Sequence, residues 1–196
     1  MTKGLFIVIY GPNNIGKSTQ ARMVVAWLKE QGYSAEYLKY PIYDSPTGKR
    51  ISGILREGKE PDIDEQVFQT IYYENRKHFE AELLKKLDAG IFVVAEDYIG
   101  TSLAWGTAKG ADYDYLKKLN SDLIQEDLAI LMDGERFKHA AEKNHIHEQN
   151  AELMLRVRDV HLSIGEKLGW PKVNANQTKD EVFDAIRKLV EPILKK

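Results

Sequence analysis

The plainest chemistry in this chain sits near its amino terminus, where Gly11, Gly16, Lys17 and Ser18 are spaced as G-x-x-x-x-G-K-S/T directly after the apolar run LFIVIY. Glycines in this pattern let the backbone turn until successive N–H groups, and the start of a following helix, point at phosphate oxygens. The lysine then reaches the β- and γ-phosphates of a nucleoside triphosphate, and the serine hydroxyl ligates Mg²⁺. Asn13, Asn14, Ile15 and Thr19 complete the cradle. No N-K-x-D segment for reading guanine occurs, so the pattern points to ATP rather than GTP and to a kinase rather than a switch.

Other groups bear chemistry farther along. Tyr72 and Arg76 are four apart, which on a helix places them on one face, a turn apart. Such a pair can grip a flat base: a ring stacks on any base, whereas a charged donor left unpaired penalises the wrong one. Glu96 and Asp97 follow the run IFVVA. His145 and His147, with Glu148 beside them, form an H-x-H cluster. Zinc needs a third and usually a fourth ligand, so these histidines read as solvated residues of a phosphate enzyme.

Short apolar runs must position these groups: LFIVIY (5–10), AEYLKY (35–40), IFVVA (91–95), LAILM (128–132) and PKVNA (171–175). Between them lie segments with helical periodicity at 18–31, 47–57, 64–88, 111–124, 135–144, 147–168 and 178–194. Continuous apolar runs suit strands buried on both faces, and their alternation with helices predicts an α/β fold with a parallel sheet covered on both sides. Ligands in such sheets bind beyond the carboxyl ends of the strands. The segments GPNNIGKS, PIYDSPTGK, EDYIGTS, DGER and NQTKD are therefore expected to converge.

A chain of 196 residues is expected to form one domain over 1–196, since nothing in its composition marks a linker or a repeat. Charged residues make up 30% and apolar ones 43%, with a net charge of -2, a balance that argues against nucleic-acid or membrane binding. There is no cysteine, which excludes disulfides and thiolate chemistry and suits a cytoplasmic location. LFIVIY is too short to span a membrane and lacks a cleavage site after it.

Taken in order, FIVIYGPNNIGKSTQ, YPIYDSPTGKRISGIL, ENRKHF, VVAEDYIGTSLAWG, DLAILMD, HIHEQN and TKDEVFDAI, with Gly169-Trp170 before the last, resemble the thymidylate kinase family of P-loop nucleoside monophosphate kinases over nearly the whole chain. The resemblance implies a three-layer α/β/α sandwich with a five-stranded parallel sheet and a short helical lid over approximately 134–150. It implies ATP and Mg²⁺ as cofactor and metal, small nucleotides as partners, and a homodimer.

It also implies roles for residues. Tyr72 stacks on thymine and Arg76 donates to its O4. Glu96 stands where the family has an aspartate that holds Mg²⁺ or orients phosphates. Thr101 and Ser102 lie near the base, Trp105 crowds the sugar where a ribose carries its 2′-hydroxyl, and Tyr43 touches the acceptor phosphate. Asn13 stands where the family has a carboxylate that approaches the 3′-hydroxyl. Apart from the resemblance, Arg136, just after the run LAILMD, is the candidate for packing on adenine, with the Asn174–Gln177 turn as the other wall.

Three positions depart from the family: Asn13 replaces a carboxylate, Asn14 an arginine of one subgroup, and Asp97 the arginine that binds the acceptor phosphate. Lys39, Lys49, Arg50 and Lys109 are candidates to compensate for Asp97. In the lid, Lys138, Lys143, His145 and His147 are the available cations, with Lys143 as the expected catalytic one beside Lys17 and Glu96. The expected reaction is in-line transfer from MgATP to dTMP. The rivals are a nucleoside kinase that uses Glu96 or Asp97 as base toward a 5′-hydroxyl, and a nucleotide-binding regulatory protein with weakened catalysis.

Overall fold

The computed structural model describes residues 3–56, 63–135 and 151–194. Five strands, β1 (Phe6–Tyr10), β2 (Ala35–Lys39), β3 (Phe92–Glu96), β4 (Leu128–Asp133) and β5 (Lys172–Asn174), form one sheet in the order β2-β3-β1-β4-β5. Every pairing is parallel, with Phe6 opposite Val93 and Ile7 opposite Leu128 on the two sides of β1. Among the described residues seven helices accompany it: α1 (Lys17–Glu30), α2 (Pro46–Arg56), α3 (Glu65–Asp88), α4 (Ile99–Ala108), α5 (Tyr113–Leu119), α6 (Ala151–Leu168) and α7 (Lys179–Leu194).

The unbroken apolar character of β1 follows from its place. Phe6, Val8 and Tyr10 face one core, Ile7 and Ile9 the other, and all five are fully buried. Helices α3, α4, α5 and α6 cover the first face through Leu83, Leu103, Leu116 and Ile164. Helices α1 and α7 cover the second through Val24, Leu28, Val182 and Ile186. The expected α/β/α sandwich is present. No described helix is long and apolar enough to cross a membrane.

Two helical expectations are corrected. The segment 111–124 is helical only over Tyr113–Leu119, begun by Asp112, whose side chain accepts from Tyr115 N, and ended at Asn120. Ahead of it, Ile99–Ala108 forms a helix that sequence periodicity does not reveal. Its sequence IGTSLAWGTA carries glycines that are weak helix formers in isolation. Here they are packing devices: a Cβ on Gly100 would lie 2.3 Å from the Trp170 ring, and one on Gly106 would lie 2.7 Å from Leu116. The expected helix 135–144 and the start of 147–168 fall outside the described residues, as does the lid beyond Glu135.

Candidate active site

The loop after β1 takes its shape from its glycines. Gly11 and Gly16 have φ of 136° and 92°, and a Cβ on Gly11 would meet the Met132 carbonyl at 2.3 Å. Asn14, at φ 62°, is one of the side chains that tolerates left-handed backbone. Gly16 precedes α1, whose own first turn has no acidic residue, so any anion at its positive dipole end must be brought from elsewhere. Lys17 is 4% exposed and its Nζ donates to the Gly11 and Pro12 carbonyls at 2.9 Å each. The ammonium thus sits over the mouth of its own loop. Ile15 is buried in the core beneath and fixes the loop from behind.

An acidic pair faces this loop from the end of β3. Glu96 Oε2 accepts from Ser18 Oγ at 2.5 Å and from Tyr37 OH at 2.7 Å, while Oε1 pairs with Lys39 Nζ at 3.2 Å. Burial pushes the Glu96 carboxyl up, but Lys17, Lys39 and the hydroxyls of Ser18 and Tyr37 outweigh it and hold the group below the usual carboxylate range. Asp97 is left-handed at φ 62°, accepts from Thr101 Oγ1 at 2.8 Å and lies 3.6 Å from Lys17 Nζ. Burial raises its carboxyl; Lys17 opposes the rise and the Glu96 charge adds to it. Among the described residues no three His, Asp or Glu gather to hold a metal alone. The adjacent Ser18 hydroxyl and Glu96 carboxylate fit Mg²⁺, a hard cation that takes one or two carboxylates and fills its shell with water and substrate phosphates.

A second polar cluster is built on α3. Arg76 is 3% exposed; Nη2 donates to Ser102 Oγ at 2.8 Å and to Asn120 Oδ1 at 2.9 Å, and Nη1 to the Tyr98 carbonyl at 3.4 Å. Its Nε–H has no partner, and no carboxylate among the described residues pairs with it. Desolvation pulls its pKa down to about 10. One turn earlier, Tyr72 packs against Phe68 with ring centroids 5.0 Å apart. Asn75, beside Arg76, exchanges hydrogen bonds with the Ile42 N–H and carbonyl and so fastens the loop that carries Tyr43.

One cavity of about 420 Å³ joins the two clusters. Asn13, Asn14, Gly16, Lys17, Ser18 and Thr19 line it on the loop side; Tyr43, Tyr72, Arg76, Glu96, Thr101, Ser102 and Trp105 line the rest. Gly11 and Ile15 shape the loop without facing the cavity. Arg136, Lys138, Lys143, His145 and His147 lie outside the described residues.

Of the cations named to compensate for Asp97, Lys39 lines the cavity, Lys49 and Arg50 are exposed on α2, and Lys109 pairs with Glu65 at 2.8 Å. The Asn174–Gln177 turn meets the chain after β4 through Asn176 Oδ1, which accepts from Glu135 N at 2.7 Å.

Sequence reasoning missed Arg56, Glu65 and Gln69, which also line the cavity. Arg56 lies over the Tyr43 ring at 5.3 Å. Glu65 and Gln69 had a signal: with Tyr72 and Arg76 they fall at i, i+4, i+7 and i+11, one stripe of α3.

The family model for thymidylate kinase matches residues 9–186. A probable thymidylate kinase of Thermococcus onnurineus is 32% identical over 201 residues, covering 95% of this chain and 97% of its own. The thymidylate kinase of Arabidopsis thaliana is 25% identical, over 96% of this chain and 71% of that one. A solved thymidylate kinase structure from Candida albicans shares the fold with a TM-score of 0.81 at 22% identity, covering 97% of this chain and 92% of its own.

Proposed function

The chain belongs to the thymidylate kinase family, and we propose that it transfers the γ-phosphoryl group of MgATP to dTMP, giving dTDP. One observation carries the reading. Arg76, buried with its Nε–H unused, lines the same cavity as Lys17 and Ser18. A buried cation without an anionic partner is costly until a ligand supplies an acceptor. The 4-keto oxygen of thymine is such an acceptor, whereas the amino group of cytosine is not. Tyr72 supplies a stacking face, Thr101 and Ser102 border the base, and Trp105 crowds the sugar against a 2′-hydroxyl. Asn13 hydrogen-bonds the 3′-hydroxyl, and Tyr43, Lys39 and Arg56 serve the acceptor phosphate.

Phosphoryl transfer asks for alignment and charge neutralisation more than for covalent chemistry. A monophosphate acceptor is already largely ionised at pH 7, since its second pKa is about 6, so no general base is required. Lys17 exchanges the Gly11 and Pro12 carbonyls for donor phosphate oxygens, and the amides of the loop from Gly11 to Thr19 orient them. Ser18 and Glu96 would hold Mg²⁺, with Tyr37 and Lys39 keeping the carboxylate aimed; the ion would supply positive charge to neutralise the donor phosphates. In the lid, Lys143 neutralises the transferring oxygens and Arg136 packs on adenine. The absence of cysteine suits a cytoplasmic enzyme of nucleotide synthesis, and the family resemblance supports a homodimer. Sedimentation near twice 22.4 kDa would bear out the dimer, and a value of one chain would reject it.

The test is an acceptor panel with MgATP: dTMP, dUMP, dCMP, dGMP, UMP and thymidine. dTMP is expected to be preferred, and Arg76→Ala to raise its KM by about tenfold or more while leaving that for ATP in place. An unchanged preference in Arg76→Ala would remove Arg76 from the base site.

A further inference from the structure

We propose that Glu65 sets the base preference of the cavity by fixing the direction of a hydrogen-bond chain that ends on Arg76, an inference that rests on the acceptor being a pyrimidine nucleotide. Gln69 Nε2 donates to Glu65 Oε1 at 2.7 Å, Ser102 Oγ donates to Gln69 Oε1, and Arg76 Nη2 donates to Ser102 Oγ at 2.8 Å. Beyond Glu65, Lys109 Nζ lies 2.8 Å from Oε2. Gln69, Ser102 and Arg76 are 2%, 4% and 3% exposed, so water does not compete for their bonds.

A carboxylate accepts and never donates. Glu65 therefore receives the amide nitrogen of Gln69, which turns the Gln69 carbonyl oxygen toward Ser102. The single hydroxyl proton of Ser102 is committed to that oxygen, and its lone pairs are left for Arg76 and for the cavity. A glutamine by itself has nearly the same shape either way round; the charge at position 65 removes that choice.

The outcome is a fixed polarity, with a cationic donor from Arg76 beside acceptor lone pairs on Ser102 and Gln69. A pyrimidine with a keto oxygen at C4 and a proton on N3 presents the complement. A 4-amino pyrimidine reverses both atoms and meets donor with donor and acceptor with acceptor. Glu65 acts through Gln69 and Ser102, as a positioning residue.

The test measures kcat/KM for dTMP and dCMP at saturating MgATP in the wild type, Glu65→Gln, Gln69→Leu, and the exchanged pair Glu65→Gln with Gln69→Glu. In Glu65→Gln either amide can turn and the Ser102 hydroxyl can reverse. The dTMP to dCMP ratio is expected to fall about tenfold or more, through KM for dTMP, with KM for ATP unmoved. Gln69→Leu removes the oxygen that takes the Ser102 proton and should produce the same fall.

In the exchanged pair a carboxylate at 69 again takes that proton, and the ratio should return to within about threefold of wild type. A purely structural role would lower stability and both activities together and leave the ratio alone. An unchanged ratio in the single variants, or no recovery in the exchanged pair, overturns the proposal. Should Glu65→Gln fail to fold, Gln69→Leu and the exchanged pair decide. A wild type that does not prefer dTMP over dCMP would instead overturn the assignment of dTMP as the acceptor beneath it.

Discussion

Asp97 places a carboxylate where the thymidylate kinase resemblance leads one to expect an arginine, on backbone at φ 62° that aspartate and asparagine tolerate better than longer side chains. Its charge lies in the cavity with Lys17 3.6 Å away, and it opposes an anionic acceptor. Asp97→Asn keeps the backbone and removes the charge. KM for dTMP is therefore expected to fall about three- to tenfold at low salt, with the gain shrinking as ionic strength rises; a KM that rises would show that Asp97 helps to bind the acceptor. His161 is a second buried residue with a measurable consequence. It is fully buried, its Nδ1–H donates to the Val157 carbonyl at 2.9 Å, and Nε2 has no partner. Desolvation lowers its pKa from 6.5 to about 4. The folded state therefore favours the neutral ring: its contribution is complete above about pH 6.5 and is lost as pH falls toward 4, at most about 3 kcal/mol. His161→Leu should show a smaller loss of stability than wild type between pH 6.5 and 4 in denaturant titrations, and equal slopes would contradict this.

Helix α4 shows where local sequence and tertiary packing part company. Tyr72 and Arg76, a turn apart on one helix, were singled out through the family resemblance, whereas the phosphate loop and the apolar strands were legible because each depends on local spacing. Helix α4 was not, because IGTSLAWGTA is buried along most of its length and so lacks the polar face that gives a helix its period. What makes it helical is contact with Tyr10, Trp170 and Leu116. Tyr10 and Trp170 stack with centroids 4.4 Å apart directly against Gly100. Gly100→Ala is accordingly expected to destabilise the protein by about 1–3 kcal/mol, although alanine is the better helix former. Thermal unfolding decides between them; a raised Tm would mean that propensity outweighs the clash. Because α4 carries Thr101, Ser102 and Trp105, the same substitution should also raise KM for dTMP.

At the scale of the molecule, the sheet order brings the ends of β2, β3 and β1 side by side, and with them Lys39, Glu96 and the loop from Gly11 to Ser18. Sequence patterning foretold that strand ends would converge. The order itself rests on long-range pairing that local periodicity does not encode. Helix α3 then extends the cavity from these groups to Arg76, so that the loop residues and Arg76 line one cavity of about 420 Å³, in which the proposed donor and acceptor would meet. That sharing is tested by a single turnover with γ-labelled MgATP, offered equal dTMP and thymidine. The label should pass directly into dTDP, and Lys17→Ala should slow its passage by at least about a hundredfold. Label found in dTMP made from thymidine, or only in inorganic phosphate, would contradict transfer between two nucleotides held in this cavity.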